Sequence, residues 1–162
     1  MGDFFNIDEV FEIAEQIERN GAKFYRTVAG SFDEDGKKML LDLSEMEVEH
    51  EKLFSEMRKD YAEKKKLPES FDPNGEAALY LRAIADGFVF KFNEDPSERL
   101  SGKEGMEDIL NMALGLERDS IAFYTGIREA VPDELGKDKI KDILTEEMGH
   151  VRLLTEKLES MK

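Results

Sequence analysis

Apolar residues recur at spacings of three and four along most of the chain, which is the period of an amphipathic helix. The first such stretch runs from about Ile7 to Ala29, and a turn at 30–33 follows it. The positions on its apolar face are Ile7, Val10, Phe11, Ala14, Ile17, Gly21, Phe24, Tyr25 and Val28. A second stretch with the same period begins after Ser31 to Glu34, which matches a capping box, and fades into lysines near residue 64. The pattern predicts two long helices joined by a tight turn.

The second half of the chain repeats this plan. A third long helix is predicted to run to about Val131, and Pro132 and Asp133 turn the chain into a fourth that ends near Lys162. Between the two pairs lies a crossover with loops that contain Pro and Gly and a shorter helix over residues 76–92. The chain is therefore predicted to be all-α, with two antiparallel hairpins joined by a long crossover that contains a short extra helix.

Composition agrees with a helical protein and narrows its partners. The 162 residues leave room for one sizeable core, so a single domain over 1–162 is expected. The net charge of -15 is spread along the chain and repels phosphate backbones, which makes nucleic acid an unfavourable partner. The chain has no cysteine, which excludes disulfides, thiolate metal ligands, iron–sulfur clusters and a cysteine nucleophile.

The N-terminal sequence and the apolar runs bear on location. MGDFFNIDEVFE has acidic residues where a signal peptide requires a basic segment and a long apolar run. No apolar stretch approaches the roughly 20 residues that span a bilayer. We therefore expect no membrane association and a soluble, cytoplasmic protein.

One sequence motif occurs twice in the chain. The pattern A-x-x-[IL]-E-R-[ND]-x-x-x-F-Y covers Ala14 to Tyr25 and again Ala113 to Tyr124. The helix that follows each copy carries an E-x-x-H motif, in EMEVEHEKLF and in TEEMGHVRLL. These two motifs contain the only histidines of the chain, His50 and His150. The two hairpins are therefore internal repeats of each other.

Polar residues of the repeat interrupt the apolar stripes. They are Glu18, Glu47, His50, Glu117, Glu147 and His150. Within each hairpin the glutamate and the E-x-x-H motif stand at nearly equal distances from the turn, so an antiparallel pair brings them level. We expect all of them to point into the core at one height of the bundle.

Four ionised carboxylates in a core would be very costly, and two neutral imidazoles do not compensate them. Two divalent cations carry the charge that does, and an E-x-x-H spacing lets both side chains reach one ion from one helix face. The mixed oxygen and nitrogen ligands suit Fe or Mn and tolerate Zn, whereas Ca and Mg have no need of histidine. Two metal ions are therefore the predicted cofactors, and the ligand types leave iron, manganese and zinc open.

This ligand pattern resembles the ferritin-like di-iron carboxylate proteins, in which two helices give one Glu each and the other two give Glu-x-x-His. E-R-N-G-A-K-F-Y and E-R-D-S-I-A-F-Y look most like the rubrerythrin-type branch. The resemblance implies terminal carboxylates from Glu18 and from Glu117 or Glu147, bridging carboxylates from Glu47 and its counterpart, and one histidine on each metal. Which glutamate bridges is left open. The chain departs from the family in having Ser120 where rubrerythrins have a further Glu, and in lacking their four-cysteine rubredoxin segment.

Aromatic residues near the site have two interpretations. Tyr25 and Tyr124 lie two turns from a Glu on the same face, so each is either a hydrogen-bond donor to a ligand carboxylate or a plain core aromatic. Phe88, Phe90 and Phe92 are expected to cover one end of the bundle, or to help form a homodimer.

The predicted function is that of a non-haem di-iron protein that reduces hydrogen peroxide or O2 with electrons from an external donor. No catalytic residue is expected beyond the metal ligands. One alternative is a ferroxidase that handles iron, and another is a metal-stabilised binding module without turnover.

Overall fold

The computed structural model describes residues 7–63, 74–87 and 89–162. Five α-helices occur in this part of the chain: α1 (Ile7–Ala29), α2 (Glu34–Glu63), α3 (Glu76–Ala85), α4 (Met106–Ala130) and α5 (Lys137–Ser160). Two short 3₁₀ turns, Pro96–Arg99 and Asp133–Leu135, lie in the crossover and between α4 and α5. No strand is present among the described residues, and the predicted all-α plan of two hairpins and a crossover helix is confirmed.

The four long helices form one bundle. α1 lies along α2 and α4 lies along α5, while contacts of α1 with α4 and of α2 with α5 join the two hairpins. α3 lies outside this bundle and packs against α4. None of the helices in the described residues combines the length and the apolar character that a membrane-spanning segment requires.

The apolar core is divided into two layers along the bundle axis. One layer contains Phe11 of α1, Phe54 of α2, Tyr124 of α4 and Ile143 of α5. The other contains Phe24 of α1, Leu40 of α2, Leu110 of α4 and Leu154 of α5. On each long helix, the glutamates and histidines of the repeat lie between the residues of these two layers. The bundle therefore carries a polar layer at mid-height, enclosed by apolar layers above and below.

The N-terminus of α2 is capped by a different residue from the one predicted. The backbone N–H of Gly36 donates a 2.8 Å hydrogen bond to Asp33 Oδ1. Because the first helical residue is Glu34, the capping position falls on Asp33, whose carboxylate is among the best acceptors there. The capping box predicted at Ser31 was therefore wrong by two positions.

α3 is shorter than predicted, and the chain after it runs across the flank of the bundle. It ends at Ala85 because Gly87 takes a φ of +77°, which breaks the helix. Phe90 and Phe92 are half-buried against the first apolar layer. We call residues 90–99 the strap; a hydrogen bond and an ion pair hold it on α1. Phe90 and Phe92 thus cover the flank and not an end of the bundle, while Phe88 lies outside the described residues.

Two contacts hold the strap on α1. The side-chain amide of Asn20 donates a 2.6 Å hydrogen bond to the carbonyl oxygen of Phe92. Lys23 forms an ion pair with Asp95 three residues further along the strap. The strap therefore lies at nearly the same height along α1 as the polar layer, since Asn20 is only two residues from Glu18.

Replacement of Gly126 by Ala is expected to lower the free energy of unfolding by about 1–3 kcal/mol, since overpacking displaces neighbouring side chains. A Cβ at Gly126 would lie 2.7 Å from both Leu81 Cδ2 and Tyr80 Cδ1, where α3 packs on α4. Gly115 in the same helix is the matched control, because a Cβ there has no neighbour within 4 Å in the part of the chain that the structure describes. Gly115→Ala is expected to raise stability by up to about 1 kcal/mol through helix propensity. Denaturant unfolding of both variants measures the difference, and equal gains would contradict the packing described here.

Candidate metal centre

The polar layer brings together all the ligand candidates of the repeat. Each of them is at most 3% exposed. Glu18 comes from α1, Glu47 and His50 from α2, Glu117 from α4, and Glu147 and His150 from α5. The helical period places them there, because each occupies a position of the apolar stripe of its helix.

The side chains form two overlapping groups. In each group, one potential ligand atom from every member lies within 4.8 Å of the others. The first group is Glu18, Glu47, His50 and Glu147, and the second is Glu47, Glu117, Glu147 and His150. Glu47 and Glu147 belong to both groups, whereas Glu18 and Glu117 each belong to one. The structure thus distinguishes two shared from two unshared carboxylates, which the spacing of the sequence left open.

Glu147 lies between the two histidines. Its Oε1 is 2.9 Å from His50 Nδ1, and its Oε2 is 3.3 Å from His150 Nδ1. The two imidazole rings are stacked, with centroids 5.9 Å apart and an angle of 20° between their planes. Both histidines therefore present Nδ1 to the cluster, one on each side of a single carboxylate.

Despite these short distances, several buried atoms of the cluster form no hydrogen bond within the described part of the chain. They are Glu18 Oε2, Glu47 Oε1, His50 Nδ1, both oxygens of Glu147 and both ring nitrogens of His150. A buried polar atom without a partner costs about 1–3 kcal/mol, and native structures contain few of them. Lone pairs that converge without bonding one another are what a bound cation requires, so the residues present fit two metal ions.

Burial raises the pKa of three of the four glutamates, and neighbouring carboxylates add to the effect. The pKa of Glu18 lies well above its usual range through burial and the charge of Glu147. Burial and the charge of Glu18 do the same for the pKa of Glu47. Burial and the contact with Glu147 raise the pKa of Glu117 to about 8. Without a cation, therefore, protons are retained in the cluster at neutral pH.

Glu147 is the exception among the carboxylates. Burial on its own would raise the pKa of Glu147, but contacts with Glu117, His150 and His50 outweigh it and lower the pKa below its usual value. For His50 the directions are reversed: burial on its own would lower its pKa, but the contacts with Glu147 and Glu146 raise the pKa to about 9. The pKa of His150 is also raised, against the effect of burial, by Glu117, Glu147 and Glu47. The carboxylate between the rings is thus the one that stays ionised.

Two buried tyrosines donate hydrogen bonds across the bundle. Tyr25 of α1 donates its hydroxyl to Glu117 Oε1 of α4, and Tyr124 of α4 donates to Glu18 Oε1 of α1. Burial, followed by the charge of the glutamate it contacts, raises the pKa of each tyrosine well above its usual value, so both remain donors. Each unshared glutamate thus has one oxygen held by a tyrosine, while its Oε2 lies 3.5 Å from the Nδ1 of a histidine.

Glu146, which was not among the predicted site residues, also contacts the cluster. His50 Nε2 lies 2.8 Å from Glu146 Oε2, on the outer side of the ring. The side chain of Glu146 is 51% exposed, and its neighbour Glu147 occupies the stripe position. Its role depends on the contact between α2 and α5, and nothing in the spacing along a single helix indicates it.

A cavity of about 40 Å³ approaches the cluster between α1 and α4, under the strap. Glu47, Glu117 and Tyr25 are among its lining residues, and so are Gly21 and Ser120, which occupy equivalent positions of the repeat. A Cβ at Gly21 would lie 3.2 Å from Glu47 Oε2. Ser120 donates its hydroxyl to the carbonyl oxygen of Leu116 at 3.1 Å, within its own helix. The space accommodates no more than a few atoms of a small molecule, since one water needs roughly 10–15 Å³ on this measure.

No protein-family model and no curated protein sequence matches the chain. A solved structure from Thermotoga maritima, provisionally described as a ferritin-like diiron-carboxylate protein, is similar over 100% of both chains, with 22% sequence identity and a TM-score of 0.73. This likeness covers the whole of the bundle described above. The chain therefore has the ferritin-like fold, with a buried cluster of carboxylates and histidines at the centre of its bundle.

Proposed function

We propose that the protein binds two metal ions, most favourably iron, in this cluster and uses them to reduce a small oxidant with electrons from a separate donor. The observation that carries the proposal is the pair of overlapping four-residue groups that share Glu47 and Glu147. The Thermotoga maritima protein with the same fold supports iron as the metal, because its description names a diiron-carboxylate site.

The ligands follow from the two groups. Glu18 and His50 would hold one ion, Glu117 and His150 the other, and the shared glutamates would contact both. Two divalent cations balance the charge of four carboxylates, so the buried cluster becomes formally neutral. The oxygen and nitrogen donors suit iron or manganese and tolerate zinc.

A pair of iron ions supplies two electrons to hydrogen peroxide or O2 when bound in such a site. The chain contributes the surroundings. The two apolar layers keep bulk water from the cluster, and the tyrosine hydroxyls hold the outer oxygens of Glu18 and Glu117 so that the inner oxygens point inwards. The cavity beside Gly21 and Ser120 favours a small substrate such as peroxide or O2 over an organic molecule.

The donor would be a separate molecule, because the chain has no cysteine with which to bind an electron-transfer centre. The proposed relationship is to the rubrerythrin type, with Ser120 in place of the additional glutamate of that branch. Since the Ser120 hydroxyl is bonded within its own helix, a metal-stabilised module without turnover is the second candidate.

A metal count followed by a peroxide assay tests the proposal. We would purify the protein anaerobically, load it with Fe(II), count the metal per chain and add stoichiometric hydrogen peroxide. Two irons per chain, rapid ferric absorbance and peroxide loss that a reductant renews are expected. Iron that stays inert to both peroxide and O2, with stability still dependent on metal, would favour the second candidate and contradict the first.

Replacement of both shared glutamates, Glu47→Gln together with Glu147→Gln, is expected to abolish the binding of two adjacent metal ions. Neither group keeps more than two of its four ligands, although the buried amides preserve side-chain volume. Mössbauer spectra of the iron-loaded protein measure this loss as the disappearance of magnetic coupling. The matched control is Glu49→Gln with Glu159→Gln, which changes exposed residues of the same two helices. A coupled pair that survives in the first variant would contradict the proposed ligands.

The metal-free protein is expected to lose stability as the pH rises from about 5 to 9. Glu117 has a folded-state pKa of about 8 against an ordinary 4.5, and His50 one of about 9 against 6.5. Both therefore bind protons more tightly when folded, and the stability they contribute is complete below their ordinary pKa and lost through the raised values. Denaturant unfolding of the chelated protein at several pH values measures the slope.

Two controls separate this effect from general repulsion in an acidic chain. Glu117→Gln is expected to flatten the slope between about pH 4.5 and 8, because the titrating group is gone. The stabilisation that metal adds is expected to grow over the same range, since metal competes with protons for the ligands. A metal-free protein that is more stable at pH 9 than at pH 5 would contradict the raised pKa values.

Gly21→Ala is expected to weaken metal binding by about tenfold while leaving the helix content unchanged. The added Cβ would lie 3.2 Å from Glu47 Oε2 and would push a shared carboxylate out of place. Gly149→Ala is the matched control, because a Cβ there meets no atom of the described residues within 4 Å, although Gly149 adjoins His150. Isothermal titration of both variants with metal measures the affinities, and equal affinities would show that Gly21 has no part in placing Glu47.

A further inference from the structure

The two histidines differ at the nitrogen that faces away from the cluster. His50 Nε2 lies 2.8 Å from a carboxylate oxygen of Glu146, on the opposite hairpin. His150 Nε2 is buried, and it has no hydrogen-bond partner among the residues that the structure describes. The inner nitrogens, by contrast, have similar surroundings, because Nδ1 of each ring faces an oxygen of Glu147. The site is therefore symmetric at its centre and asymmetric on its outer side.

The internal repeat explains this asymmetry. Glu146 directly precedes the E-x-x-H motif of α5, and the residue that directly precedes the same motif of α2 is Met46. Since Glu146 of the second hairpin contacts the histidine of the first, the equivalent residue for His150 is Met46 of the first hairpin. A thioether sulfur is only a weak acceptor, so it does not replace a carboxylate. The difference between the two histidines thus corresponds to the difference between Glu146 and Met46, which occupy equivalent positions of the repeat.

A carboxylate on the outer nitrogen changes what the inner nitrogen does. When a cation binds Nδ1 of His50, the ring keeps its proton on Nε2, and Nε2–H then donates to the Glu146 carboxylate that lies 2.8 Å away. The negative charge of the acceptor also increases the basicity of the ring as a ligand. His150 receives neither effect, and its Nε2–H would remain a buried donor without a partner when Nδ1 binds a metal.

We propose that Glu146 is a positioning residue that makes the Glu18/His50 group the tighter of two unequal metal sites, so that this group fills first and the Glu117/His150 group second. The inference rests on the proposed dinuclear site and assigns an order to its two ions. With limiting metal, chains would then carry one ion beside His50, and two-electron chemistry would begin only above the concentration that fills the second site.

Titration of the metal-free protein with Co(II) under anaerobic conditions tests the order. Calorimetry and the visible absorption of Co(II) are expected to resolve two binding steps for the wild type. Glu146→Ala is expected to weaken the first step by about ten- to a hundredfold and to leave the second within about twofold. Glu146→Gln is expected to lie between, because its amide oxygen accepts the hydrogen bond without the charge. Glu146 is half exposed, so these variants are expected to fold, which circular dichroism checks.

Glu49→Gln is the matched control for charge. Glu49 is exposed on the same groove that His50 and Glu146 line, and it forms an ion pair with Lys52. Its replacement removes one negative charge next to His50 without removing the hydrogen bond, so both binding steps are expected to stay unchanged. A first step that weakens equally in Glu49→Gln and Glu146→Ala would overturn a positioning role for Glu146.

Nitrogen-15 spectra of the histidines in the Zn-loaded protein give a second measurement that does not depend on affinity. The Nε2–H proton of His50 is expected to exchange slowly and to carry the shift of a strong hydrogen bond, and Glu146→Ala is expected to remove both features. Met46→Glu is expected to tighten the second Co(II) step, by supplying the acceptor that His150 lacks. An unchanged second step in that variant would overturn the role given to this pair of positions.

The Co(II) titrations test the order of filling and the proposed dinuclear site separately. If the wild type binds two ions but Glu146→Ala leaves both steps unchanged, the order is wrong and the dinuclear site stands. If the wild type does not bind two metal ions, the proposed function is wrong and the order of filling is wrong with it.

Discussion

The burial of four carboxylates within one layer of a helical bundle is the constraint on which the rest of this structure depends. Like charges at such distances repel strongly where water is absent, and they are retained only if protons or cations compensate them. The surrounding residues serve this requirement. Tyrosine hydroxyls engage the outer oxygens of Glu18 and Glu117, the histidines flank Glu147, and apolar layers close both sides. The bundle is stable around this layer to the extent that its charge is balanced.

Much of the fold and of the cluster could be predicted from the sequence, because both follow from the helical spacing of apolar residues along the chain. The apolar period defines the long helices, and a Glu or His that interrupts the stripe has nowhere to point except the core. What could not be predicted depends on how helices from different hairpins approach each other. The crossed bonds of Tyr25 and Tyr124, the sharing of Glu47 and Glu147, and the contact of Glu146 with His50 all lie between elements far apart in the chain.

Errors at helix ends have a similar physical origin. Ser31 and Asp33 are both good capping residues, and only the packing of the turn decides which of them precedes the first helical residue. The apolar residues after Ala85 continue a helical pattern, but a backbone turn at Gly87 sends them across α1 as the strap. The pattern identified Phe90 and Phe92 as buried against the bundle, whereas their place on the flank follows from tertiary contacts.

The crossed tyrosine bonds also determine when the buried cluster can assemble during folding. They join residues 92 and 106 positions apart, and each connects the first hairpin to the second. The first hairpin alone offers Glu18, Glu47 and His50, without the carboxylate that lies between the two rings. Contacts at such separation form late, because a long loop must close before they repay its entropy. During synthesis, the chain therefore exposes half of the cluster well before the other half is available, and assembly of the complete cluster coincides with docking of the second hairpin.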